Sequence, residues 1–164
     1  MHAVDILKYG HYTVLRPLEG LAEPDWRTAG ACGIWSVKDI MAHLTSYELV
    51  LVEILSGLLD GSPTPTIERF TQDPQRFNDV EVGSRQGQIV EDVMAEYRAA
   101  YGQTARLIAR VPPEMFQQTG ILPWYGAEYD LDDFLVYTFY GHKREHAAQI
   151  AAFRDLLTRK NGRA

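Results

Sequence analysis

The chain has 164 residues, of which 46% are hydrophobic and 23% are charged, and its formal net charge is −6 at pH 7. These values indicate one globular domain over residues 1–164, long enough to bury a core without a disulfide, and neither a disordered chain nor a membrane protein. The negative charge provides no basic surface for phosphate backbones, so we expect no nucleic-acid partner.

Two further features concern location. Cys32 is the only cysteine, which excludes an intramolecular disulfide and fits a reducing compartment. The residues after Met1 lack the basic start and apolar core of a signal peptide, and the longest apolar runs are shorter than the ~18 residues of a membrane span. We therefore expect a cytoplasmic protein with no membrane partner.

The first predicted element is an amphipathic helix from Ala3 to about Leu18, which Pro17 would kink or end early. Its inward positions follow a spacing of about three and four residues: Val4, Leu7, Tyr12, Leu15 and Leu18. Residues 20–35 carry glycines and a proline without helical periodicity, so we expect a connection there.

The second helix has the clearest start signal in the chain. Ser36 can cap it, Asp39 stands at the third helical position, and Trp35 and Ile40 can pack together as a hydrophobic staple. The helix is expected to run to about Leu59, where the sequence "DGSPTPT" ends it.

Two more long helices are predicted after an irregular stretch at 61–83, which has a short helical turn near "PQRFNDV". The third helix begins at Ser84 and ends before Pro112. Its inward positions are Ile89, Val93, Tyr97, Ala100, Tyr101, Leu107 and Val111. The fourth helix is capped by Asp130 and runs to about Arg159.

Four long helices without a strong strand pattern predict an all-α fold, an antiparallel four-helix bundle. The connections 20–35 and 61–83 exceed the ~2–8 residues usual in simple bundles, so we expect long or functional loops at one end.

His142 and His146 stand four residues apart on the fourth helix and therefore share a face. They lie on its predicted inward stripe: Leu135, Phe139, His142, His146, Ile150, Phe153 and Leu157. Gly141, just before them, is costly in a helix interior and suggests close helix packing or room for a ligand, with close packing favoured.

A third histidine, His43, falls on the inward stripe of the second helix. Three imidazoles are the donor set of many catalytic zinc sites and also suit nickel and iron. The alternative is that each histidine is neutral and hydrogen-bonded within the core, as buried polar groups usually are. The residues alone leave both interpretations open.

Three motifs carry a resemblance over almost the whole chain: "WSVKDIMAHLTSYE" at 35–48, "RFN" at 76–78 and "YGHKREHAAQI" at 140–150. With them the sequence resembles the DinB-like superfamily of metal-dependent four-helix-bundle proteins. The resemblance implies a divalent cation, zinc or nickel, held by His43, His142 and His146. It also implies a homodimer.

Five further residues are candidates for a supporting or substrate-binding role: Tyr9, His11, Tyr47, Glu48 and Asn78. For the first three the alternative is ordinary packing, for Glu48 a surface or ion-pair role, and for Asn78 a helix cap. Arg85 is interpreted as a surface charge. Glu145 is expected to face solvent, because adjacent helical positions do not share a face.

The resemblance points to a small-molecule enzyme. Relatives include metal-dependent S-transferases with a low-molecular-weight thiol cosubstrate such as mycothiol or bacillithiol. An open metal site can instead activate water, as in a hydrolase. Two non-enzymatic alternatives remain: a binding protein that sequesters a small molecule, and a structural bundle whose histidines are hydrogen-bonded.

Overall fold

The structure, a computed structural model, describes residues 2–162. Its α-helices are α1 (Ala3–Leu15), α2 (Glu23–Arg27), α3 (Val37–Asp60), α4 (Pro65–Gln72), α5 (Pro74–Ser84), α6 (Val90–Ile108), α7 (Leu131–Phe134) and α8 (His142–Asn161). A π-helical segment, Leu135–Gly141, joins α7 to α8, and two 3-10 turns span Arg16–Leu18 and Pro113–Gln117. The all-α prediction is confirmed.

The helical turn expected near "PQRFNDV" is present and extends into α5, but the prediction that the rest of 61–83 is irregular is wrong, because α4 precedes it. Both begin with a proline, Pro65 and Pro74. Proline is favoured at the first helical position, where the missing N–H would have no partner within the helix. The Asp73 side chain also accepts a hydrogen bond from the Arg76 N–H and caps α5. The connection at 20–35 likewise contains a short helix, α2.

The predicted start of α3 is confirmed in detail. The Ser36 hydroxyl accepts a bond from the Asp39 N–H at 3.2 Å, and the Asp39 carboxylate accepts one from the Ser36 N–H at 2.9 Å. At the other end Gly61 adopts φ 72°, the left-handed conformation typical of a helix C-terminus. A strong cap and a strong stop therefore define the longest helix.

Two inward assignments are wrong. Ile89 is 50% exposed, because α6 begins at Val90 rather than Ser84 and Ile89 precedes its first turn. Tyr12 is 59% exposed on α1. Both residues fit the apolar spacing, but Ile89 lies before the helix and Tyr12 lies on its exposed side.

The core has two parts, and α3 contributes to both. One contains Leu51 and Leu55 of α3, and the other contains Ile40 and Leu44. α3 packs extensively on α6, whereas α8 packs mainly on α1 and meets α3 over a short stretch. The region where α3 meets the start of α8 is the region that brings the histidines together.

By length and composition α3 would also qualify as a membrane-spanning helix. More than half of that apolar window is buried within the protein, as in the core helix of a globular fold. The helix also carries buried polar side chains, among them His43 and Glu48, that contact other helices. Its apolar character is thus explained by its place in the core.

Candidate metal centre

The three histidines predicted to face inward lie together. His43 projects from α3, and His142 and His146 project from the first two turns of α8. The Nε2 atom of His142 lies 2.9 Å from the Nε2 atoms of both His43 and His146. The donor atoms of this histidine cluster (His43, His142, His146) all lie within 4.8 Å of one another.

The cluster is buried on two sides and partly open on the third. His43 is 3% exposed and His146 is 6% exposed, whereas His142 is only half-buried. His142 is therefore the most exposed member of the cluster.

The π-helical segment before α8 sets the direction in which its first residues point. π-helical turns are rare and often lie at functional sites. Gly141 ends the segment and is exposed, and an added Cβ there would meet only the carbonyl oxygen of Val136 in the same helix. Close helix packing at Gly141 is therefore wrong. After this wide turn both His142 and Lys143 are directed into the protein.

The imidazoles of the cluster are neutral at physiological pH. Burial, with smaller contributions from His142 and His146, lowers the pKa of His43 to about 2. Burial, with smaller contributions from His146 and Lys143, lowers the pKa of His142 to about 3. Burial also lowers the pKa of His146. Neutral imidazole is the form that binds metals.

Hydrogen bonds among the three rings do not account for the geometry. A neutral imidazole nitrogen offers either one proton or one lone pair, so Nε2 of His142 can bond one neighbour but not two. One cation can accept lone pairs from all three nitrogens. At metal–nitrogen distances of about 2.0–2.1 Å, the ligand nitrogens of a tetrahedral site are roughly 3.3–3.4 Å apart. Two of the observed separations are 2.9 Å and the whole set lies within 4.8 Å, so small rotations of the rings would bring all three nitrogens to one cation.

Gln149, one turn after His146, supports the cluster and was missed by the sequence interpretation. Its side-chain oxygen lies 2.8 Å from Nδ1 of His146, so Nδ1 carries the proton and Nε2 keeps its lone pair. Such outer hydrogen bonds fix the ring orientation of metal ligands. The available signal was the spacing of three residues on one helix face. Within residues 2–162, Nδ1 of His43 has no such partner.

Aromatic rings surround the cluster. Tyr47 packs on both His43 and His142, with ring centroids 4.7 and 4.5 Å apart, and Trp35 packs on His43 at 4.9 Å. Phe70 of α4 contacts Tyr47 in turn. The stretch 61–83 thus packs on the aromatic ring that contacts the cluster.

The side chains of Tyr47 and Asn78 are hydrogen-bonded neighbours. Burial raises the pKa of the Tyr47 hydroxyl, against the opposing effect of a hydrogen bond from the Asn78 side chain. The hydroxyl therefore stays protonated at neutral pH. The Oδ1 atom of Asn78 is buried and has no partner among the described residues.

Three candidates remain. Glu48 is 0% exposed and pairs with Lys143, so the ion-pair alternative is confirmed and a surface role is wrong. His11 stacks on Tyr101, with ring centroids 3.6 Å apart, and Tyr9 is 59% exposed.

The sequence also made predictions for two charged residues outside the cluster, Arg85 and Glu145. Arg85 is not a surface charge, since it is 6% exposed and paired with Glu81 and Glu96. Glu145 is exposed, as predicted.

The fold and the cluster define an all-α protein with a candidate three-histidine metal centre. A family model described as DinB superfamily matches residues 9–150, and the chain belongs to that superfamily. The matched range includes the whole histidine cluster. Searches of curated proteins and of solved structures found no match.

Proposed function

We propose that the protein binds one divalent cation, zinc or nickel, through Nε2 of His43, His142 and His146. The observation that carries this proposal is the position of His142 Nε2, 2.9 Å from two other imidazole nitrogens that it cannot satisfy by hydrogen bonds. Three protein ligands are typical of catalytic zinc sites, which keep a further position open.

The surroundings of the cluster favour a small-molecule substrate. Trp35 and Tyr47 cover two sides of the cluster with aromatic rings, and His142 is partly open. Binding sites for small molecules typically combine apolar walls with a few polar groups. Here the polar groups are the Tyr47 hydroxyl, which can donate a hydrogen bond, and Oδ1 of Asn78, which can accept one.

The reaction we propose is thiol transfer to an electrophilic carbon: the thiol loses its proton to solvent, its sulfur forms a bond to the carbon, and the leaving group departs with the electron pair of the bond that breaks. His43, His142 and His146 would hold the cation, which when bound would lower the pKa of a coordinated thiol so that its sulfur could act as a nucleophile at neutral pH. This reaction needs no carboxylate base. The two carboxylates nearest the ligands in sequence are not placed to act as one, since Glu48 is paired with Lys143 and Glu145 is exposed.

The proposal extends to the arrangement of the protein. α1, α3, α6 and the continuous run from α7 to α8 form the antiparallel four-helix bundle of the superfamily, with α4 and α5 as an insertion beside the site. The protein is a cytoplasmic homodimer.

Elemental analysis of protein purified without an affinity tag tests the metal site. We expect about one divalent ion per chain, lost in His142→Ala and retained in His11→Phe, which replaces a buried histidine outside the cluster. Wild-type protein that takes up no zinc or nickel on titration would refute the site.

A melting-temperature screen with mycothiol, bacillithiol and glutathione tests the reaction. We expect one thiol to raise the melting temperature of the metal-loaded protein, because a ligand of the folded state stabilises it, and to have no effect on His43→Ala. Repeated turnover of an electrophile with that thiol would establish a transferase. Stoichiometric capture would instead indicate a sequestering protein, and turnover with water alone a hydrolase.

A further inference from the structure

A buried polar network lies beside the histidine cluster. The carboxylate of Glu48 accepts hydrogen bonds from the Lys143 ammonium and, at 3.0 Å, from the Thr104 hydroxyl. Glu48 and Thr104 are 0% exposed and Lys143 is 2% exposed. We call these three residues the Glu48 network. It connects α3, α6 and the first turn of α8.

The network is adjacent in sequence to the contacts of the cluster. Tyr47 precedes Glu48 on α3, and His142 precedes Lys143 on α8. The ring of Tyr47 packs on the ring of His142, and the carboxylate of Glu48 bonds the ammonium of Lys143. Two neighbouring contacts between the same two helices fix both their rotation and their relative height.

Few other contacts fix α8 relative to α3, because the two helices meet over a short stretch. The metal site, however, requires His43 of α3 and His142 of α8 to present their Nε2 atoms 2.9 Å apart. A shift of one ångström would separate these donors. The Glu48–Lys143 ion pair lies next to His142, where it can prevent a shift of α8 along α3.

Stability alone does not explain this ion pair. Removing two charges from water is costly, and apolar residues of similar volume often give equal or greater stability. Lys143 is further enclosed by the rings of Tyr97 and Tyr101, with its Nζ atom 5.7 and 5.6 Å from their centroids. A buried ion pair can instead specify one arrangement of helices among several.

We infer that Glu48 and Lys143 are positioning residues for the metal centre: their ion pair holds α8 against α3 so that the histidine cluster converges on one cation. This inference rests on the proposed function. Neither residue would contact the cation, and the pair would act only through the positions of His43 and His142.

The test is the charge-balanced double variant Glu48→Leu/Lys143→Met, with Glu48→Gln as a second variant that keeps the side-chain shape. The double variant leaves no unpaired buried charge and does not change the net charge near the site. We expect its melting temperature without metal to equal or exceed that of the wild type. We expect its dissociation constant for Zn²⁺, measured by chelator competition, to rise about 10- to 100-fold. The visible spectrum of bound Co²⁺ should change as well.

Glu96→Gln is the matched control. It removes one carboxylate from Arg85, a second buried cation with carboxylate partners, whose Nη2 lies 2.7 Å from Glu96. This variant should lose stability and keep the Zn²⁺ affinity and the Co²⁺ spectrum of the wild type. If the wild type binds metal and both Glu48 variants bind it equally well, the positioning role is wrong and the proposed site stands. If the wild type binds no metal, both proposals fail.

Discussion

The histidine cluster and the Glu48 network are two polar groups in one core, and they differ in how their polar atoms are satisfied. In the network, the two charges pair with each other and the Thr104 hydroxyl donates to the carboxylate. In the cluster, Nε2 of His142 has two neighbours at 2.9 Å and can bond only one of them. Buried polar groups that satisfy one another indicate an internal role. Groups that do not satisfy one another indicate a ligand from outside.

The largest expected effect comes from breaking the network on one side. Lys143→Met leaves the carboxylate of Glu48 buried without its cation, which typically costs about 3–5 kcal/mol. In a chain of this length the melting temperature should fall by about 10 °C. Chemical denaturation at pH 7 and thermal melting both measure the change.

The control for this variant is Lys160→Met, at the exposed end of α8, which should have little effect. A loss of stability below about 1 kcal/mol in Lys143→Met would show that Glu48 finds another partner or is protonated in the variant.

Removing the ligand from the cluster should have the next largest effect. A cation present at about 100 times its dissociation constant stabilises the folded state by about 2.7 kcal/mol. A strong chelator should therefore lower the melting temperature of the metal-loaded protein by roughly 5–10 °C. His142→Ala should melt at the same temperature with and without the chelator. Equal sensitivity of the two proteins would place the cation elsewhere.

The sequence alone predicted the helix face of each histidine, because that face depends only on local periodicity. Ser36 and Asp39 locate the start of α3 and thereby the face of His43, and the spacing of four residues places His142 and His146 together. The predicted inward direction of the three histidines therefore agrees with the structure. That the two helices meet at this point followed from the resemblance and not from the periodicity.

The sequence was insufficient where a role depends on a partner far along the chain. Glu48 and Lys143 are 95 positions apart, so their pairing was not visible in the sequence. Prolines were interpreted as helix breakers at 61–83, although Pro65 and Pro74 begin helices there. Gln149 was missed because its role depends on a rotamer as well as on its spacing from His146.

His11 lies close enough to Lys143 of the Glu48 network to feel its charge, and its protonation should affect stability in acid. Burial lowers the pKa of His11 to about 4, and the positive charges of Lys143 and Arg98 act in the same direction. Since its ordinary value is 6.5, the unfolded chain binds a proton that the folded protein does not as the pH falls from about 6.5 to 4. The free energy of unfolding should decrease over this window.

His11→Phe should remove this contribution and keep the stacking on Tyr101. Denaturant titrations of both proteins with chelator present should diverge from pH 6.5 to pH 4, by about 2 kcal/mol in favour of the variant. The histidine cluster also titrates in acid, but its effect is common to both proteins and cancels in the difference. Parallel stability curves would show that His11 is protonated in the fold without cost.

The smallest expected effect comes from removing the hydrogen bond between Gln149 and His146, which orients the His146 ring. Gln149→Leu removes the acceptor 2.8 Å from Nδ1 of His146, so the ring is free to rotate and to place its proton on Nε2. We expect Zn²⁺ affinity to fall about tenfold, or about 1.4 kcal/mol, with little change in the stability of the metal-free protein. Gln149→Glu keeps an acceptor at the same place and should bind at least as tightly as the wild type. If the leucine variant retains full affinity while the glutamate variant gains none, the orientation of His146 is set by packing, and the cluster is more rigid than its hydrogen bonds indicate.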